Sequence, residues 1–523
     1  MNRFLKRANK RISLGTAAAL LAGTSFLGIF LGILRTKLIN ANFNVFTSDA
    51  YFAAFKIPDF IFFTLASGAL GVAFLPILSD RLAKNKQSAW EVARYILNFL
   101  GLIALVSSIL LMIFADPLMR YVVAPGFTPQ QLELSVSIMR IVSVNVFIFS
   151  ISTILSTVQQ AVGRFFFIAI APLFYNASII ASIFIFGDSL GVVGLSLGVA
   201  FGAILQLLVV ALGMAGLSFT YSPTIDFKNK SFREVLRVLP ARAIDQGIDS
   251  INAIVETRFA SRLITGSVTW YENALVLHYA PISLIGNSIS TAAFPRLTDR
   301  LAQGRIDLFR KEFVMVLRTM IWIALPVVVV SFFARAYLAR IIFLRSSSEI
   351  AMIFGFLCVA IFFRIIYTII SRYFYAHKDT KTPLYVSLFV IALNIYLAYT
   401  LSKPTAYGVA GLAIAQSIVA LTEVMILVVI MIRRDRKLFT RDFLQAVTRM
   451  VAITGFTAVA TYITIQYFPL LQSDIGSVLV AKLIIIAAVT FTVHTAMSYI
   501  FDMPEAKTVV RKAKNMALAV IKV

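Results

Sequence analysis

Apolar runs of roughly 20 residues or more recur from one end of the chain to the other, separated by short and often basic connections. In a bilayer every backbone N–H and C=O must be satisfied within the segment, so runs of this length read as transmembrane helices. The pattern predicts an all-α polytopic membrane protein of fourteen spans, at about residues 14–38, 49–78, 90–115, 131–160, 165–187, 190–218, 232–262, 268–295, 311–335, 349–374, 382–402, 407–432, 443–466 and 477–501. Basic residues collect in alternate connections, for example Arg81, Lys84 and Lys86, Arg305, Arg310 and Lys311, and Arg433, Arg434, Arg436 and Lys437. Arg335, Arg340 and Arg345 break the alternation. The positive-inside rule then places both termini in the cytoplasm of a cell with this protein in its inner membrane, and the 187–191 connection outside.

An internal repeat organises these spans. "FLPILSDRLAKNK" at 74–86 answers "AFPRLTDRLAQGR" at 293–305, an offset of 219 that also brings Tyr51 to Trp270. "VVGLSLGVA" at 192–200 resembles "VAGLAIAQS" at 409–417 at an offset of 217. Two pseudo-symmetric six-helix lobes are expected, 1–220 and 221–437, followed by two C-terminal helices and a short basic tail in 438–523. Repeats in the same orientation imply a pseudo-two-fold axis along the membrane normal, with substrate between the halves.

Composition narrows the partners. Of 523 residues 59% are hydrophobic, against about 45–50% in soluble domains. The net charge of +24 could suggest nucleic acid, but its placement in alternate loops is that of membrane topology, so no nucleic-acid partner is expected. The N-terminal stretch imitates a signal peptide, yet its apolar part is long enough for a retained first helix. Cys358 lies in an apolar run and reads as a small packing residue.

The chemistry is in charges set inside the spans, where each costs a few kcal/mol or more unless it meets water, a partner or a substrate. Ser25, Gly28, Gly32 and Arg35 share one helical face. Arg35 either meets Asp49 across the hairpin or snorkels to the interface. In "SDAYFAAFKIPDFIFF" (48–63), Asp49 and Lys56 lie on one helix face about 10 Å apart in depth. On the seventh span Arg242, Asp245, Asp249, Asn252 and Glu256 fill an arc of roughly 80°, widened to about 120° by Gln246. Such a stripe lines water or a polar partner, unless Arg242 merely neutralises Asp245. Arg258 and Arg262 lie on the other side and could snorkel. Glu272, Asn273, His278, Arg364 and Arg140 complete the inventory, with His278 read first as a packing residue. There is no Gly-rich phosphate loop with its lysine, no HExxH, no GxSxG and no metal cluster. No enzyme and no cofactor are expected; two bundles enclosing charged faces make a transporter without an ATP motor.

"SDAYFAAFKIPDFIFFTLASGALGVAFLPILSDR", "RYFYAHKDTKTPLYVSLFVIALN" (372–394), "LGILR" ending at Arg35 and "GSVTWYENA" (266–274) resemble the signature regions of the MurJ/MviN lipid II flippases of the multidrug/oligosaccharidyl-lipid/polysaccharide exporter superfamily. The resemblance implies two lobes in a V around a cationic cavity, a groove for the lipid tail on the last two helices, and export of undecaprenyl-pyrophosphate-linked disaccharide-pentapeptide by alternating access. It also implies roles for Arg35, Asp49 and Lys56 at the substrate. Several usual charges are replaced here, by Ile29, Phe62, Phe63, Ser67 and Val276. Arg242, Arg364 and Arg140 are candidates to take their place. Asp245, Asp249 and Glu256 would repel pyrophosphate and are candidates to bind a coupling Na+ or proton. The alternatives are a flippase for another polyprenyl-linked glycan or a drug, or a transport-inactive scaffold for wall synthesis.

Overall fold

The computed structural model describes residues 8–9, 11, 14–67, 74–343 and 345–507. These are helical nearly throughout, with no strand among the described residues. The chain forms two compact units, Met1–Thr269 and Trp270–Val523.

The first unit runs through Leu14–Asn42, a broken stretch (Val45–Ala54, Lys56–Phe62, π-helical Phe63–Ser67 and Leu75–Lys84), Lys86–Ile113, the short Leu118–Val123, Pro129–Val142 with Val144–Ala161, Phe166–Leu212 and Lys230–Ala260. Local chemistry sets the starts. Asn44, Asn85 and Asn229 each accept backbone N–H groups of the first turn they precede, and Thr128 forms a capping box with Gln131. Pro58 lacks the N–H that would bond the Ala54 carbonyl, and the helix breaks at Phe55. Over its described residues, the span read as 49–78 is therefore a chain of shorter pieces. A core of Phe74, Leu78, Trp90, Ile96, Leu97, Phe232 and Val235 closes the basic end of this unit.

In the second unit Ser267–Pro281, begun by the last residues of the first, leads into π-helical Ile282–Asn287 and Ser288–Ala302. Ile306–Phe333, Arg335–Ile342, Ser347–Ala376, Lys381–Leu401, Val409–Arg434, Arg441–Tyr467 and Gly476–Ile500 follow. The last two pack on each other and on Ile306–Phe333 through buried polar contacts. Trp322 Nε1 donates to Ser498 Oγ (2.9 Å), Thr461 and Thr490 hydroxyls meet at 2.8 Å, and Thr457 Oγ1 lies 3.3 Å from His494 Nδ1. Thr490, His494 and Ser498 are four apart and share one face. Within lipid such hydrogen bonds and close packing, not burial from water, hold helices together.

Ten of the described helices are long and apolar enough to cross a membrane. The described parts of 45–84, and the stretches 230–260 and 267–302, are not among them. The spans read as 165–187 and 190–218 are two helices that meet at Gly191, where the backbone leaves helical geometry, and they fold back on each other: Ser178 Oγ donates to the Gly198 carbonyl (3.0 Å), and a Cβ at Gly202 would lie 3.0 Å from the Tyr175 carbonyl oxygen.

The backbone carries the repeat as well. Two of the π-helical turns begin 219 residues apart, at Phe63 and Ile282; the third described one, Leu118–Val123, is not paired in this way. Gly191 (φ 56°, ψ −137°) and Gly408 (φ 55°, ψ −136°) adopt the same left-handed bend 217 residues apart. These are the two offsets at which the sequence matches itself, and glycine is the residue that takes such a φ without strain.

Candidate functional site

Asp49 is buried, at 2% exposure, on the helix Val45–Ala54. Its carboxylate accepts the N–H of Gly266 (2.6 Å), the N–H of Thr269 (2.8 Å) and the hydroxyl of Thr269 (2.7 Å). Those donors sit at the N-terminus of Ser267–Pro281, where backbone N–H groups have no partner within their own helix and the dipole favours an anion. Asp49 is thus a cap supplied from more than 200 residues away. The expected pairing with Arg35 is not formed, because all of this donor chemistry comes from the helix end.

Arg35 is half-buried, and its Nη1 donates to Asn176 Oδ1 at 3.1 Å. Asn176 in turn donates to the Pro172 carbonyl, so the amide is oriented with its oxygen toward the guanidinium. Arg35 forms no ion pair among the described residues. Lys56 is half-buried in the next turn of the broken stretch, one residue after the break at Phe55. Beside these groups runs an aromatic wall, Phe62 to Phe149 (5.5 Å between ring centres) and Phe149 to Tyr175 (5.3 Å). Phe62 therefore packs where the family resemblance leads one to expect a charge, while Phe63 is exposed.

The helix Lys230–Ala260 lies against this stretch. A side chain at Gly247 would come within 2.8 Å of Thr64 Oγ1 and 3.3 Å of Phe60, so glycine permits the approach. Asn252 and Glu256 of the polar stripe are buried. The side chains of Arg242, Asp245, Gln246 and Asp249 lie outside the described residues. Arg258 Nη1 donates to the carbonyls of Tyr121 and Val122 at the end of Leu118–Val123. Arg140 is exposed and donates to the Met112 carbonyl (3.3 Å), near the end of Lys86–Ile113.

In the second unit Arg364 is committed. Its Nη1 bonds Glu423 Oε2 at 2.8 Å, and Ser387 donates to the other oxygen at 3.0 Å. Glu423 is 2% exposed, so its carboxylate is buried, while Arg364 reaches it from a half-buried position. Sequence reasoning passed over Glu423; its signal is a lone acid in the apolar run "SIVALTEVMIL" (417–427). His278 is buried and packs edge-on against Tyr279.

The signature "RYFYAHKDTKTP" folds as a clamp. Asp379 accepts the N–H of Lys381 and Thr382 and the Thr382 hydroxyl, capping Lys381–Leu401, while Arg434 Nη1 holds it at 2.6 Å. Partial burial would raise its pKa, but the Thr382 bonds and the Arg434 guanidinium outweigh that and hold it down at about 2. At the corresponding turn of the first unit the polarity is reversed: Arg164 donates to the carbonyls of Gly213 (2.9 Å) and Ala215 (2.8 Å).

Residues 41–481 match the sequence family described as "Lipid II flippase MurJ". A "Probable lipid II flippase MurJ" of Borreliella burgdorferi is 25% identical over 464 residues, covering 87% of this chain and 89% of the relative. One of Thermotoga maritima is 25% identical over 407 residues, 75% of this chain and 80% of its own length. Among solved structures, "Lipid II flippase MurJ, inward closed conformation" superimposes with a TM-score of 0.79 at 22% identity, over 92% of this chain and 98% of that one. An inward-facing multidrug resistance MATE transporter of the MOP superfamily gives 0.67 at 16% identity, over 81% and 95%.

Proposed function

The chain belongs to the lipid II flippase MurJ family, whose members are transporters and not enzymes, and from that premise we propose that it moves undecaprenyl-pyrophosphate-linked disaccharide-pentapeptide from the inner to the outer leaflet of the cytoplasmic membrane. The family match over residues 41–481 carries this reading. The polyprenyl tail stays in lipid while the head group crosses by alternating access. The discontinuous stretches 45–84 and 267–302 and the charged helix 230–260 are further crossings, and with the helices on either side of Gly191 counted as two crossings the total is fourteen, both termini being cytoplasmic.

Pyrophosphate needs cations where bulk water is scarce; Arg suits its geometry and Lys supplies a point charge. Arg35 and Lys56 take that role, supported by the absence of a carboxylate on Arg35 among the described residues. Asp49 serves it indirectly by fixing its helix. Arg140 and Arg242 are secondary candidates, and Arg364 is already neutralised by Glu423. Asp245, Asp249 and Glu256 are the candidates for a coupling Na+ or proton. The loss of Arg364 from the cation set favours, as a second reading, a polyprenyl-linked glycan with a less anionic head group.

Complementation of a conditional lipid II flippase mutant, with accumulated lipid precursors identified by mass spectrometry, tests the proposal. Wild type should clear lipid II. Arg35→Ala should insert normally and fail, with Arg35→Lys intermediate. Full activity of Arg35→Ala at normal expression would remove Arg35 from the substrate path, and clearance of a different precursor would select the second reading.

A further inference from the structure

At the basic end of the second unit, the start of Ile306–Phe333, the start of Arg441–Tyr467 and the segment beyond Gly476–Ile500 enclose an open cavity of about 530 Å³. Three ion pairs frame it. Arg318 Nε bonds Glu505 (2.7 Å), and Arg310 bonds Asp435 (2.7 Å) and Asp307 (2.9 Å). With Met503 and Ala506 buried, the first of these pins the chain beyond the last membrane helix as a wall of the cavity. The arginines are largely offset by their own carboxylates, but the lysines are not. Lys311 and Lys437 line the cavity from different elements, both are exposed, and neither ammonium has a partner among the described residues. Asp442 is the acid on the rim outside the ion pairs. One turn further along the helix from Lys311 the same face becomes apolar, with the exposed Met315, and Phe443 lines the cavity from the neighbouring helix.

Cations at the mouth and apolar side chains one turn deeper suit an amphiphile with a phosphate head. We propose that this cavity binds the head group of an anionic phospholipid of the surrounding membrane, its phosphodiester between Lys311 and Lys437 and its acyl chains along Met315 and Phe443. Basic pockets where helices leave the bilayer concentrate such lipids, because the ammonium groups lie in the interfacial field and the chains never leave hydrocarbon. The head group would also bridge the linker before Arg441 to the Ile306–Phe333 helix, which no ion pair of Lys311 or Lys437 does in its absence. This goes beyond the transport reading and stands or falls without it.

The test is a binding titration of the purified, delipidated full chain, read by native mass spectrometry, with phosphatidylglycerol, phosphatidylcholine and inorganic phosphate as separate probes. Wild type should retain phosphatidylglycerol in preference to phosphatidylcholine. Lys311→Gln with Lys437→Gln should bind it roughly thirtyfold more weakly, the loss expected of two basic residues at an anionic surface. Lys311→Arg with Lys437→Arg should bind as wild type, which separates charge from folding. Lys84→Gln with Lys228→Gln, removing equal charge from the first unit, should also bind as wild type. Unchanged affinity in the pocket variant, or equal weakening in that control, would overturn the proposal. Displacement of the lipid by inorganic phosphate at matched concentration would overturn it in favour of a soluble anion. Transport is not read in this experiment, so its failure and that of the flippase assignment are distinguishable.

Discussion

Asp49 in the first unit and Glu423 in the second are both buried carboxylates on helices, and they are stabilised by opposite means. Asp49 lies within reach of a helix end, where three neutral donors converge on it. Glu423 sits near the middle of Val409–Arg434, opposite the interior of Ser347–Ala376, where every backbone N–H is already used in its own helix. Only side chains can serve it there, and Arg364 and Ser387 do. The difference decides what each unit has left for a ligand. Burying Asp49 consumes no cation, and Arg35 keeps its charge opposite a neutral amide. Burying Glu423 consumes Arg364.

The comparison breaks most readily on the second unit. Arg364→Met should destabilise by about 3–5 kcal/mol, since it strands a buried charge, whereas Arg364→Met with Glu423→Leu should recover most of that. Thermal unfolding in detergent measures both; a double variant no more stable than the single would mean the pair is not the source of the loss. In the first unit Asp49→Ala should cost about 2 kcal/mol, the upper range for a lost helix cap. Adding Arg35→Ala should be additive to within about 0.5 kcal/mol. A larger coupling would show that the two residues do meet. Gly191→Ala and Gly408→Ala should each cost about 1–2 kcal/mol and by similar amounts, because the bends match and no atom lies within 4 Å of either added Cβ. Unequal penalties would show that the two bends are not equivalent.

The smallest effect is one of pH. Asp379 is held at about 2, below its ordinary 3.8, so its clamp contributes fully above 3.8 and is lost as pH falls through about 2. The melting-temperature gap between wild type and Asp379→Asn should therefore be constant above that range and close toward its lower end. A gap that persists at the acid limit would show that the carboxylate charge does not matter to the turn.

Most of the helical order was legible because lipid allows few alternatives: an apolar run of span length has to be a helix. The repeat was legible too, and Gly191 with Gly408 shows why. A left-handed bend restricts the residue type, so the constraint leaves a mark in the chain at both copies. What could not be read were partners brought together by folding alone. Adjacency in the hairpin suggested Asp49 for Arg35, but Gly266 and Thr269 bind Asp49 from far along the chain, and nothing local to either end announces it. Arg364 looked available because Glu423, a single acid among apolar residues 59 positions on, was overlooked. Arg258 likewise found carbonyls in a short turn whose fold has no periodic signature.

The paired π turns have a mechanical meaning. Each inserts slack into a helix, since a π turn winds more residues into the same length than an α turn does. Were the slack released and the turn rewound as α, everything beyond it would swivel by about 100° and slide by about 1.5 Å for each residue returned. Phe63–Ser67 and Ile282–Asn287 hold that slack at matching registers of the two copies. Equal gearing in the two copies would let one kind of stroke be made twice, once by each.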